Sequence, residues 1–132
     1  MKPVFLTLIA TLLAACAHAP NNVQGSLDGE VFYLQRIALP PTATLTVSLQ
    51  DVSRADAPAQ TLAKQSGPIK NQVPLPFHLT YDQKQVQQGH TYAVSARIEV
   101  DGKLLMISTE RYNVDLTLEE KPPVRIRLNP AR

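Results

Sequence analysis

From position 23 onward, apolar residues fall on every second position, and nowhere in that stretch do they recur at helical spacing over two or more turns. Leu27, Val31 and Tyr33 share one parity with Gly29, opposite Asp28, Glu30 and Phe32. Ala43, Leu45, Val47 and Leu49 alternate with Thr44, Thr46, Ser48 and Gln50. Tyr92, Val94, Ala96, Ile98 and Val100 form the longest run, opposite Ala93, Ser95, Arg97 and Glu99. Successive side chains of a strand point to opposite faces, so this period specifies strands buried on one face only.

Turn and breaker residues divide the pattern. Asp101-Gly102, between the long run and Leu104 to Thr109, is a type I′ hairpin signal, since both central residues of that turn need positive φ. Pro74 and Pro76 alternate with Val73, Leu75, Phe77 and Leu79; without N–H groups they place this segment at a sheet edge or leave it partly unpaired. A weaker strand is expected around Gln60 to Gln65, and two more at Val114-Leu116-Leu118 and Val124-Ile126-Leu128. Gln83 to Gln88 supports one turn of helix at most. Seven or eight short strands, polar on one face, predict an all-β domain over residues 23–132. Its expected form is an antiparallel two-sheet β-sandwich, Ig-like or related, with a small closed barrel as the alternative.

The first residues carry a different message. Met1-Lys2 is followed by an uncharged, mostly apolar run from Val4 to Ala15, too short for the roughly 20 residues that span a bilayer. The run ends in Leu13-Ala14-Ala15-Cys16, which resembles a lipobox: a leucine, two small residues that fit a shallow protease pocket, and a thiol that takes diacylglycerol. The expectation is a lipoprotein signal peptide over residues 1–15 and a lipidated Cys16 with a short tether over residues 16–22. An ordinary signal-peptide cut after Ala17 or Ala19, or a free core thiol, is the competing reading. The lipobox is preferred because position, flanking residues and the single cysteine agree. Ala17 rather than Asp follows the cysteine, which favours an outer-membrane site facing the periplasm.

Composition removes several function classes. The formal charge is +2, and seven aromatic residues include no Trp, so neither nucleic-acid binding nor a ring-stacking platform is expected. His18, His78 and His90 lack ligand-type partners at metal-site spacing, so no metal and no cofactor is expected. No nucleophile elbow is present, and the chain reads as a non-enzyme. Asp51, Arg54 and Asp56, in the most polar run between strands, are the candidate partner-binding residues. Their structural alternative is a turn in which Asp51 and Ser53 hold backbone N–H groups and Arg54 pairs with Asp56 or Asp51. Arg97 and Glu99 are placed to pair with neighbouring strands. Arg125 and Arg127 read as charges that protect an exposed strand, or else as a dock for an acidic partner.

Ile37-Ala38-Leu39-Pro40-Pro41, the stretch Leu45 to Pro58, Pro76-Phe77-His78-Leu79-Thr80-Tyr81-Asp82 and the hairpin around Asp101-Gly102 together resemble the YbaY/YscW family of small bacterial lipoproteins. Val114 to Arg132 fits that family only loosely. The resemblance implies a β-sandwich and an outer-membrane lipoprotein. One branch of the family acts as pilotins, which escort secretin subunits of type III secretion to the outer membrane. The reading is therefore a lipid-anchored, non-catalytic binding or escort module whose partner is an envelope protein, secretin-like in the pilotin case. A general envelope role stands ahead of a dedicated pilotin, because no residue names a secretin. The alternative is a carrier of a small apolar ligand in a pocket between the sheets; a lined cavity would favour it, and a filled core would count against it.

Overall fold

The computed structural model describes residue 3 and residues 23–132. Leu13, Ala14, Ala15, Cys16 and the tether through Asn22 lie outside the described residues. The strands are β1 (Gln24–Phe32), β2 (Ala43–Asp51), β3 (Gln60–Pro68), β4 (Leu75–Asp82), β5 (Tyr92–Val100), β6 (Lys103–Ile107), β7 (Tyr112–Val114), β8 (Val124–Arg127) and β9 (Asn129–Pro130). They form a three-stranded sheet in the order β4-β1-β8 and a larger sheet in the order β3-β2-β5-β6-β9, with β7 also paired to β5. The inward parities read from the sequence meet between the sheets: Leu27, Val31, Val47, Leu49, Val94, Ile98, Met106, Ile126 and Leu128 are all buried. The two-sheet, all-β expectation is borne out.

The hairpin is as expected, with Asp101 at φ 50° and Gly102 at φ 80°. Gln83–Gln85 makes a single 3-10 turn, capped by the Asp82 carboxylate accepting from the Lys84 N–H at 2.9 Å. Three details differ from the sequence reading. The described residues form nine strands rather than seven or eight, the extra one being the two-residue β9 against β6. One pairing, β1 with β8, is parallel. Leu116 and Leu118 do not continue β7, because Asp115 accepts from the Thr117 N–H at 2.9 Å and hydroxyl at 2.5 Å, turning the chain there. Leu116 is thereby buried, whereas Leu118 is left 46% exposed.

Gly25 and Gly29 of β1 face Tyr81 and Phe77 of β4 as direct cross-strand partners. Each ring lies over its glycine so closely that no side chain fits beneath it. The outer face of this sheet is tied by Arg125 to Glu30 across the parallel pair, at 2.7 Å, with the guanidinium also 4.6 Å from the Phe32 ring. An exposed pair of this kind contributes only a fraction of a kcal/mol. Arg97 pairs with Glu99 of its own strand, at 2.7 Å, rather than with a neighbour.

β4 is an edge strand, as its prolines imply. The His78 N–H points away from β1, where the Gln65 side-chain oxygen accepts it at 3.0 Å. Pro76 shares that parity, so its missing N–H is one that would have faced outward. The opposite seam is closed in the same manner: the Arg127 N–H donates to the Tyr112 hydroxyl at 3.0 Å. The molecule is thus a sandwich whose open sides are each bridged by one side chain, which relates it to the closed barrel.

Candidate functional site

Asp51 ends β2, and its carboxylate organises the chain beyond it. One oxygen accepts from the Ser53 N–H at 3.0 Å and from the Ser53 hydroxyl at 2.5 Å; the other lies 2.6 Å from His90 Nδ1. Ser53 Oγ in turn accepts from the Thr91 N–H at 2.8 Å, and the Val52 N–H donates to the Thr91 carbonyl at 2.8 Å. The result is a latch joining the end of β2 to the start of β5.

Serine, histidine and aspartate are all present here, but the wiring is not that of a hydrolase. The Ser53 hydroxyl is hydrogen-bonded to the carboxylate, not to the imidazole that would have to take its proton. Among the described residues no group of three or more His, Cys, Asp or Glu side chains is placed to hold a metal ion.

Of the three candidate residues, Asp51 is therefore taken up by the latch. Arg54 and Asp56 are both exposed and, among the described residues, make no ion pair; the expected pairing of Arg54 with Asp56 or Asp51 does not form. Arg54 instead lines an open cleft of about 300 Å³ with Ser53, Pro58, Gln60, Gln87 and His90. His90 is the residue the sequence reading passed over. It lies 39 positions from Asp51, and no local pattern joins the two.

The hydrogen bond from His90, reinforced by the Ser53 hydroxyl and N–H, pulls the Asp51 carboxyl down from the usual 3.8 to about 2. Its side chain is 14% exposed at the rim of an open cleft, so solvent screens part of this interaction. A carboxyl with a depressed folded-state pKa stabilises the fold above its unfolded value, and that contribution is lost as the pH falls toward the folded value. Asp51→Asn is expected to cost on the order of 1 kcal/mol at neutral pH, after screening by solvent. The gap in urea midpoint between wild type and variant should close as the pH falls from about 4 to about 2. An unchanged gap over that range would show that the charge of Asp51 does not hold the latch.

A second feature lies at the seam between β7 and β8. Here a groove of about 270 Å³ is walled by Tyr112, Val114, Leu118, Pro123 and Val124, with Leu27 as its floor. Its walls are mostly apolar, and Leu118 is the most exposed of its large apolar side chains. The sequence reading missed it because Leu118 and Val124 were assigned to strands with no knowledge that their segments face each other. Between the sheets themselves, side chains such as Leu49, Ile98, Met106, Leu116 and Ile126 are fully buried against one another and fill the interior.

Known proteins resemble this chain over most of its length. A family model described as type III secretion system lipoprotein chaperone (YscW) matches residues 22–128. The uncharacterized lipoprotein YbaY of Escherichia coli K12 is 40% identical over 90 residues, which cover 67% of this chain and 47% of YbaY. The match thus takes in about half the length of that relative. Among solved structures, an alternative pilotin from the type II secretion system of Vibrio cholerae is 47% identical, with a TM-score of 0.77, over 83% of this chain and 99% of that one.

Proposed function

The chain belongs to the YscW family of type III secretion system lipoprotein chaperones, and from that membership we propose that it is a pilotin, a lipid-anchored escort for a secretin-type subunit of a secretion system. The domain works by contact and carries out no chemistry. Cleavage after Ala15 makes Cys16 the new N-terminus, lipid on that cysteine holds the protein on the outer membrane, and the sandwich faces the periplasm.

The observation that carries the reading is the likeness to the Vibrio cholerae pilotin, which extends over 99% of that chain at 47% identity and so concerns the whole domain rather than one motif. It moves the dedicated pilotin ahead of the general envelope role that the sequence alone favoured. The wiring of Ser53, Asp51 and His90 is in keeping with a role without catalysis, since the hydroxyl meets a weakly basic carboxylate and not the imidazole.

The test is membrane fractionation of a deletion strain. Secretin subunits should shift from the outer to the inner membrane several-fold and return on complementation with the wild-type gene. An unchanged distribution of every secretin in the cell would overturn the proposal.

A further inference from the structure

β3 has the weakest alternation of the long strands, and its pairing shows what that leaves behind. Opposite Leu45, Val47 and Leu49 of β2, all buried, it carries Gly67, Gln65 and Ala63. Directly opposed residues share a face. The core-facing side of β3 therefore holds a glycine, an amide and a methyl group there, and no large apolar side chain. A Cβ at Gly67 would meet nothing within 4 Å. The space beside it is an open cleft of about 250 Å³ between β3 and β4, with Leu45, Ile69, Leu75 and Pro76 among its walls. Leu45 and Leu75 belong to the core, so the cleft is a lateral entrance to it.

The backbone along this seam is unpaired as well, since β3 and β4 each end their sheet. On β4 the His78 N–H faces away from β1, and those of Thr80 and Asp82 share its parity. On β3 the Ile69 N–H donates to the Ala43 carbonyl at 3.0 Å, so the N–H groups of Lys64 and Ser66, of the other parity, face outward. Among the described residues one hydrogen bond crosses the seam, from the His78 N–H to the Gln65 side chain. The donors of Thr80, Asp82, Lys64 and Ser66 have no strand partner. β8, the other edge of the smaller sheet, offers less: Pro123 just before it has no N–H, and the Arg127 N–H is held by Tyr112.

We propose that the β3–β4 seam takes an extended segment of the escorted subunit as a strand added to β4. Gln65 swings aside and releases the His78 N–H, which joins those of Thr80 and Asp82 in pairing with the carbonyls of the segment. Main-chain bonds then supply affinity, and alternate side chains supply selectivity. Every second side chain enters the space left by Gly67, so the segment carries Val, Ile or Leu at those positions and no proline at the paired ones. A second copy of this chain does not qualify through either strand of the seam. The inward side chains of its β4, Leu79 and Tyr81, are buried in their own core, and its β3 offers only Gly67, Gln65 and Ala63. The inference rests on the escort reading above and deepens it by naming the surface and the conformation of the segment.

The test uses the full-length lipoprotein in detergent and, as probe, the purified secretin subunit of the same cell. Gly67→Val fills the entrance and should weaken binding at least tenfold. Its urea midpoint should equal or exceed that of wild type, because valine suits a strand better than glycine and meets no clash here. Gln65→Ala removes the bridge that competes for the His78 N–H and should tighten binding; unchanged or weaker binding would overturn the strand mode. Binding by Gly67→Val equal to wild type would overturn the seam while leaving the escort reading intact. Loss of binding in Leu118→Glu instead would move the partner to the β7–β8 groove. Self-association of the wild type that Gly67→Val abolishes would make the occupant a second copy and overturn the proposal. A wild-type protein that does not bind the subunit would overturn both the seam and the escort reading.

Discussion

Gly29→Ala is expected to destabilise the domain by about 3 kcal/mol or more, a large part of the 5–15 kcal/mol that separates a typical folded domain from its unfolded chain. Added methyl groups in a packed core usually cost about 1–3 kcal/mol, and they cost more where no side-chain rotation can relieve the overlap. Gly29 is such a position. A Cβ there would stand nearer than 3.0 Å to both the Val124 carbonyl oxygen and the Phe77 ring. The ring can shift, but the carbonyl belongs to the backbone of β8, paired directly opposite Gly29. Making room means moving β8 off β1, and with it Ile126, which is completely buried. Gly25→Ala is the internal comparison, since the atoms in its way all belong to the Tyr81 side chain. Urea denaturation of the two variants beside wild type should rank Gly29→Ala well below Gly25→Ala. A Gly29→Ala midpoint within error of wild type would mean that the parallel β1–β8 pair is not packed as described.

Cys16→Ser is expected to abolish lipid attachment and leave an uncut precursor that still carries residues 1–15. The thiolate is the nucleophile that takes diacylglycerol, and a serine hydroxyl at neutral pH is far too weakly ionised to replace it. Stable anchoring takes two or more acyl chains, so a protein without them has no hold on the outer membrane, and the uncut precursor is expected to stay in the inner membrane. In the escort reading the consequence reaches the partner as well: secretin distribution in the Cys16→Ser strain should match that of the deletion strain. Growth with radioactive palmitate decides the first step. Wild-type protein that takes up no label would sink the lipobox reading, and with it the anchoring in the proposed function.

Period two, read from Leu27 to Leu128, identified the buried face of nearly every strand, because side-chain alternation is a local property of extended chain. Asp101-Gly102 located the hairpin because positive φ at two successive residues is a local demand that few dipeptides meet. Pro76 marked β4 as an edge for a reason equally local, a missing donor. The same local logic failed at Leu116-Leu118, where alternation continues in the sequence but the Asp115–Thr117 turn ends the strand. Turn residues compete with the apolar pattern there, and the turn prevailed.

What only the tertiary structure decided is which strands and which polar groups meet. Asp51 and His90 are 39 residues apart, and Glu30 and Arg125 are 95 apart. No periodicity connects such positions, because alternation states which side of a strand is buried and is silent about its neighbour. The candidate site shows this most directly: Asp51 was legible as a turn carboxylate, but its second role, holding His90, was not. The β7–β8 groove likewise exists only because β8 runs parallel beside β1 and leaves its outer edge facing β7, an arrangement chosen by packing between segments far apart in the chain.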